Sequence, residues 1–400
     1  MKPDRLSDAD IDKNKVNYLM PVQEVEMKKS GVWGLLLIGL ILTFFFVSAC
    51  SREEKIEIKK EDGVTVVYNP KKPAPPRGVP STLSLKEELV LGKTGNEETM
   101  LLDPRRLDID QTGNIYIIDS KAVQIKVYDP QGNFIRAIGK RGQGPGEFQR
   151  PTNIQITAQQ NIFVCDPGSR RVIFFSLDGQ FIKELSGSKM WMFSDAKVDP
   201  NGDIVGSHTI MDQEARTELI RFNSNMEPLL TVTSVPIAKI PVFNPYFPFI
   251  YFGLTADGNV LWGITTEYVF NVVNPEGKTI KKIIKNYDPE KLTKEDQERR
   301  AKEIWGEEGP SPDVRVEWPD NFPAFQDFVM DERGWLYVRP YTKEKVEKGV
   351  IYDVFDADGR YVARVVLPDR AMAVKYGKLY TIEEDEEGMR LVKCYALQWR

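Results

Sequence analysis

The sequence predicts an all-β chain: a six-bladed β-propeller with an N-terminal lipoprotein signal segment and one helical insertion between blades 4 and 5. Three observations carry the fold. A unit of three or four short strands recurs six times between residues 83 and 400. Its strands are runs of β-branched and aromatic residues, such as Ile115-Tyr116-Ile117-Ile118 and Val172-Ile173-Phe174-Phe175. Its joints are Asp/Asn/Gly turns, among them Gln111-Thr112-Gly113, Asp178-Gly179, Asn201-Gly202, Asp257-Gly258 and Asp358-Gly359. Glycine is favoured there because it reaches positive φ without a steric penalty. One such sheet cannot bury both of its faces, whereas six arranged radially can.

The units follow in order. The first runs from Leu107-Asp108-Ile109-Asp110 to Gly132, and the second from Ile154-Gln155-Ile156-Thr157 to Gly179. The third contains Val198-Asp199-Pro200-Asn201-Gly202 and Leu219-Ile220-Arg221-Phe222, the fourth Val260-Leu261-Trp262 and Tyr268-Val269-Phe270. The fifth contains Leu336-Tyr337-Val338 and Asp353-Val354-Phe355, the sixth Leu379-Tyr380 and Leu391-Val392-Lys393-Cys394-Tyr395. Strand-like residues 83–91 are expected to complete the last blade and close the ring. Residues 286–322 form the insertion. Thr293 with Asp296 predicts a capped helix through Glu303-Ile304-Trp305, stopped by Gly306. Ala301, Ile304 and Trp305 share one face of it, a narrow apolar stripe suited to docking on the propeller. Lid and decoration both stay open as roles.

Arg141-Gly142-Gln143-Gly144-Pro145-Gly146-Glu147-Phe148, Pro151, Asn161-Ile162-Phe163-Val164-Cys165-Asp166 and Arg171-Val172 together resemble NHL repeats. The resemblance is close in the first two units and looser over the rest of about residues 83–400. It implies the fold and leaves the activity open, because such folds host many functions. It also implies that an aspartate closing the second strand (Asp119, Asp166) ties its blade together, with Arg171 as the partner of Asp166.

Ahead of the repeats, Lys28-Lys29 leads into apolar residues 32–47 and then Val47-Ser48-Ala49-Cys50. Basic, apolar, small, then cysteine is the order of an export signal. A single transmembrane helix is the alternative, for which the stretch is short against the usual ~20 residues. The ending resembles the lipobox of bacterial lipoproteins. That likeness implies cleavage before Cys50 and acylation of both its thiol and its new amino end, and two acyl chains hold a protein stably on a membrane. Residues 1–49 then comprise a signal peptide (27–49) behind residues 1–26, an over-extended start or an unusual leader. Residues 50–82 are a lipidated tether and Pro-rich spacer, and 83–400 the propeller. Within 50–82, residues 51–62 are expected to be flexible, Val64-Thr65-Val66-Val67-Tyr68 a short strand, and residues 70–76 extended. Ser51 after the cysteine implies, by the enterobacterial lipoprotein rule, the outer membrane, on its periplasmic face or the cell surface.

Hydrophobic residues make up 41% and charged residues 28% of the chain, a globular balance, and the net charge of -5 gives no electrostatic reason to bind nucleic acid. Beyond Cys50, only Cys165 and Cys394 remain, which could pair as one disulfide outside the cytoplasm; both sit in apolar strand-like runs, which favours buried free thiols. His208 is the one histidine, which excludes a multi-histidine zinc site and predicts a structural role near a strand end. No cofactor is predicted.

Aligning the inner strands on their following turns gives two columns. Leu107, Ile154, Ala196, Phe252, Phe328 and Met372 are apolar and expected between blades. Their neighbours Arg106, Asn153, Asp195, Tyr251, Asp327 and Ala371 are mostly polar, and alternation puts them on the opposite side of the strand. Near the axis such groups can converge at the channel mouth as a small-ligand site. A second candidate is the aromatic stretch 243–252, which can stack on sugars or pack as core. The expected function is a membrane-anchored binding or scaffold module with a protein or glycan partner. The alternative is a hydrolase of the lactonase type, with Asp195, Asn153 and Asp327 around calcium and Arg106 opposing the cation. A subunit of an export or nutrient-uptake complex is the third possibility.

Overall fold

The computed structural model describes residues 55–92, 99–186, 193–210, 215–236 and 242–400. The expected signal segment and Cys50 lie outside the described residues. Residues 54–400 form one unit, a six-bladed β-propeller.

Each blade is an antiparallel sheet built outward from the axis. Blade 1 has Pro104–Ile109 innermost, then Ile115–Asp119, Gln124–Tyr128 and Phe134–Ile138. Blade 2 runs Asn153–Ile156, Asn161–Asp166, Arg171–Ser176 and Phe181–Leu185. Blade 3 runs Phe193–Val198, Ile204–Ile210, Arg216–Phe222 and Pro228–Pro236. Blade 4 runs Ile250–Leu254, Val260–Ile264, Val269–Val273 and Thr279–Lys285. Blade 5 runs Phe325–Met330, Leu336–Pro340, Val350–Phe355 and Tyr361–Leu367. Blade 6 takes Ala371–Lys375, Lys378–Glu384 and Arg390–Trp399, and its outermost strand is Leu83–Leu91 from the start of the wheel, as the sequence predicts.

The turns explain why the polar residues recur. In blade 1 the Asp110 carboxylate accepts the backbone N–H groups of Thr112 and Asn114, both at 2.9 Å, while Gly113 N–H bonds the Asp110 carbonyl at φ +89°. Asp129, Asp199, Asp331, Asp356 and Asp385 close their turns the same way, as do Asn223 and Asn274 with their side-chain amide oxygens as acceptors. These side chains mimic a backbone turn and satisfy amides that the ladder leaves open.

Six apolar clusters among the described residues hold the wheel, one at each junction between successive blades, including blade 6 with blade 1. The cluster between blades 4 and 5 is the most aromatic. Phe270 is fully buried there, with Phe325, Phe328 and Phe355 rings 5.3–6.1 Å away, centroid to centroid. Cys165 and Cys394 are both buried free thiols, in blades 2 and 6.

Two features ahead of residue 83 differ from expectation. Residues 57–61, expected to be flexible, are a strand, Glu57–Glu61, hairpinned to Val64–Asn69. Val64–Asn69 then pairs in parallel with Thr279–Lys285, extending blade 4 to six strands. Val66 and Val67 are buried in this join, and the Asn69 side chain accepts the Tyr361 N–H at 2.7 Å and donates to the Gly359 carbonyl at 2.9 Å, reaching blade 5. Short-range alternation shows the Val/Tyr strand but not its distant partner. The new edge, Glu57–Glu61, is wholly exposed and rich in Lys and Glu, a composition that discourages further pairing.

The insertion carries one helix, α1, Lys294–Trp305. Thr293 and Asp296 form the expected capping box, and Gly306 ends the helix. Its Trp305 meets Phe243 edge-on at 5.3 Å, and Arg300 lies over the Tyr246 ring at 5.6 Å, so the helix docks on the segment leading into blade 4. No helix among the described residues is long and apolar enough to cross a membrane.

Candidate functional site

All five predicted polar positions, Arg106, Asn153, Asp195, Tyr251 and Asp327, fall on innermost strands, and neighbouring inner strands touch around the ring. Three of the strands carry a bulge just before the column, at Pro104/Arg106, Phe193/Asp195 and Phe325/Asp327. The apolar column behaves as expected: Leu107, Ile154, Ala196, Phe252 and Phe328 are buried between blades, and Met372 is partly buried. The sixth polar-column position differs. Ala371 is buried in the core between blades 5 and 6, because the bulge of blade 6 comes two residues later, at Ala371/Ala373. Arg370, one residue earlier, instead reaches the Asp327 carboxylate of the column.

Arg370 was not legible from the column, nor was Arg339. Asp327 receives both: Arg339 forks onto it with bonds of 3.1 and 2.6 Å, and Arg370 reaches it at 2.9 Å. Burial works to lower the Arg339 pKa, but the Asp327 carboxylate more than offsets it. Asp195 accepts the Asn153 amide at 2.6 Å and has Lys197 Nζ 3.9 Å away. Arg106 has no such relief. Its guanidinium donates to the Arg105 carbonyl at 3.3 Å, and among the described residues no carboxylate lies within ion-pair distance of it. Burial first, and then the charge of Arg370, lower its pKa, while Asp195, Tyr251 and Asp327 pull the other way. The same neighbourhood raises the Tyr251 pKa, through burial first and then Asp327.

One step deeper, the next axial column holds the wheel together. Asp108 accepts the Ile156 N–H of blade 2 at 2.6 Å and the Lys375 ammonium of blade 6 at 2.7 Å. The Gln155 amide bonds both the N–H and the carbonyl of Val198 in blade 3, at 2.7 and 2.8 Å. Lys197 donates to the Phe252 carbonyl of blade 4 at 2.6 Å. These side chains are structural, and they fix the polar ring above them.

The aromatic stretch divides. Tyr246 is buried among Phe322 (5.3 Å), Tyr341 (5.9 Å) and Trp318 (6.4 Å). Phe247, Phe249 and Tyr251 instead form a line of rings 5.0 and 6.5 Å apart that ends at Tyr251 in the polar column, with Phe249, 53% exposed, in its middle. A cavity of about 590 Å³ lies beside Tyr246, between α1, Tyr341 and Gln326.

Asp166 and Arg171 stand opposite each other in register, but the implied pair does not form. Arg171 binds Glu184 at 2.6 Å, since the two lie on paired neighbouring strands. Asp166 instead accepts the N–H groups of Gln149 and Arg150 at 2.8 and 2.7 Å, and Asp119 does the same for Leu102 and Asp103. Both aspartates thus anchor the loop that leads into their blade's inner strand. His208 lies within Ile204–Ile210, half-buried, with burial lowering its pKa. No group of three or more His, Cys, Asp or Glu among the described residues is placed to hold a metal ion.

A family model described as a domain of unknown function (DUF4934) matches residues 96–255, which span blades 1 to 3 and the first strand of blade 4. No curated protein matches the chain. Among solved structures, the chain is similar to a protein from Bacteroides fragilis inferred to be exported, at 10% identity and TM-score 0.54, covering 84% of this chain and 100% of that one. It is also similar to a DUF4221 family member from Bacteroides vulgatus, at 11% identity and TM-score 0.52, covering 80% and 99%. A gluconolactonase from Xanthomonas campestris aligns at 13% identity and TM-score 0.43, covering 82% and 99%. At these identities the likenesses speak to fold, and the last is too distant to bear on activity.

Proposed function

We propose that this protein is a lipid-anchored propeller of the bacterial envelope, working outside the cytoplasm, that binds a ligand or a glycan or protein partner at the mouth of its axial channel. The observation that carries the binding role is the polar ring itself, in which Arg106 is half-buried and, among the described residues, has no carboxylate within ion-pair distance. A half-buried cation that feels Asp195 and Asp327 only at a distance is placed to take an anionic group from a ligand. The anchor and the compartment rest on the run Val47-Ser48-Ala49-Cys50 and the basic, apolar stretch before it. The inferred export of the Bacteroides fragilis protein agrees with that compartment. Mass spectrometry of the N-terminus from a membrane fraction tests the anchor: a chain beginning at an acylated Cys50 is expected, and a mature chain that keeps residue 40 would refute it.

The hydrolase alternative finds less support in the ring. Asp327 is engaged by two guanidinium groups and one Asp195 oxygen by the Asn153 amide, which leaves these two carboxylates short of the roughly six to eight oxygens that calcium takes. A lactone screen with calcium removal decides it: turnover that calcium removal abolishes would replace the binding role with catalysis.

A further inference from the structure

Among the described residues of the polar ring, Arg106, Arg339 and Arg370 face two carboxylates, Asp195 and Asp327. Asp327 already serves two guanidiniums, and Asp195 is shared between an amide and a distant ammonium. The mouth is therefore short of negative charge, although the chain as a whole carries -5. Guanidinium groups suit planar or tetrahedral oxyanions, because their N–H donors are forked and fixed. Arg370 keeps 38% of its side chain exposed, so the cationic cluster can be reached from outside.

The second observation is independent of charge. Phe247, Phe249 and Tyr251 alternate along one side of the chain entering blade 4, and Tyr251 ends within the electrostatic reach of Arg106 and Arg370. Phe249 presents its ring to solvent at 53% exposure, on the approach to the arginines. An exposed aromatic ring in line with an oxyanion site can stack the body of a ligand whose acid group the arginines hold.

Resting on the binding role above, we propose that the channel mouth takes a small oxyanion, a carboxylate or a sulfate ester, carried on a sugar ring, with the anion on Arg106 and Arg370 and the ring against Phe249. The test is titration calorimetry of the full chain with D-glucuronate, D-galactose 6-sulfate and neutral D-glucose. Binding of one or both acidic sugars, with glucose at least tenfold weaker, is expected, and which acidic sugar binds more tightly assigns the carboxylate or the sulfate. Arg106→Gln is expected to weaken the acidic sugar at least tenfold, and Phe249→Ala to weaken it while leaving bare sulfate unchanged. Arg106→Gln is also expected to leave the thermal midpoint of the unliganded protein unchanged, since the half-buried side chain makes no ion pair among the described residues; a fall would overturn the assignment of Arg106. Glucose binding as tightly as the acidic sugars would overturn the oxyanion and spare the channel as a binding site. Acidic sugars unaffected by Arg106→Gln, or no binding of either at millimolar concentration, would overturn this proposal and leave the anchor and compartment untouched.

Discussion

At the scale of single residues, the axis is stapled by a few side chains that each serve two blades. Asp108 is the clearest, holding the Ile156 N–H of blade 2 and Lys375 of blade 6 at once. Asp108→Ala strands both partners in a partly buried site, and the loss is expected to be about 2 kcal/mol in a denaturant titration. Asp108→Asn, which keeps an acceptor for the amide, should lose less. Phe270 is expected to matter more. It is fully buried among three other phenylalanines, and Phe270→Ala should cost about 4 kcal/mol on the same measurement. Arg221 is a third such residue, fully buried in blade 3, ion-paired to Asp199 and donating to the Gly258 carbonyl of blade 4 at 2.6 Å.

At the scale of elements, α1 is set by its cap. Thr293→Ala removes the hydroxyl half of the capping box, and a loss of about 1 kcal/mol in local helix stability is expected, read as lower hydrogen-exchange protection of the α1 amides. The same cap gives α1 a pH dependence. Hydrogen bonds from Thr293, Arg299 and Lys343 hold the Asp296 carboxyl well below the ordinary carboxylate range. A depressed pKa contributes stability that is complete above the unfolded value of about 3.9 and is lost as pH falls below it toward the folded pKa. Protection factors for α1 should therefore be flat from pH 7 to about 5 and decline on further acidification, while Thr293→Ala should flatten that decline. The helix and both of its ends were legible because a capping box and a stop glycine are local signals. The parallel join of Val64–Asn69 to blade 4 was not, because its partner lies more than 200 residues away and nothing near Val66 names it. The polar column was legible from alternation for five positions, and failed for the sixth because a bulge shifted by two residues moves Ala371 into the core. Arg339 is found only through register, where it stands opposite Asp327.

At the scale of the whole molecule, six interfaces and one long-range strand make the wheel a single closed object. Removing residues 1–69 takes away only the blade 4 extension. That truncation is expected to stay folded with a lowered thermal midpoint, since Val66, Val67 and the Asn69 bridge to blade 5 are lost. Removing residues 1–92 also takes the outer strand of blade 6, and the expected outcome is an open, aggregating arc, distinguished from the first by size-exclusion elution and by near-UV circular dichroism. Similar midpoints for the two truncations would contradict a closing role for Leu83–Leu91.

That clasp joins the beginning of the wheel to its final strand, Arg390–Trp399, with Arg400 N–H bonding the Thr82 carbonyl at 2.9 Å. A ribosome or export channel releases the chain from its first residue to its last. The circle consequently stays incomplete until Arg390–Trp399 emerges, and loss of that strand should be felt next door in blade 1, whose Leu107 and Tyr128 share a core with Val392 and Cys394.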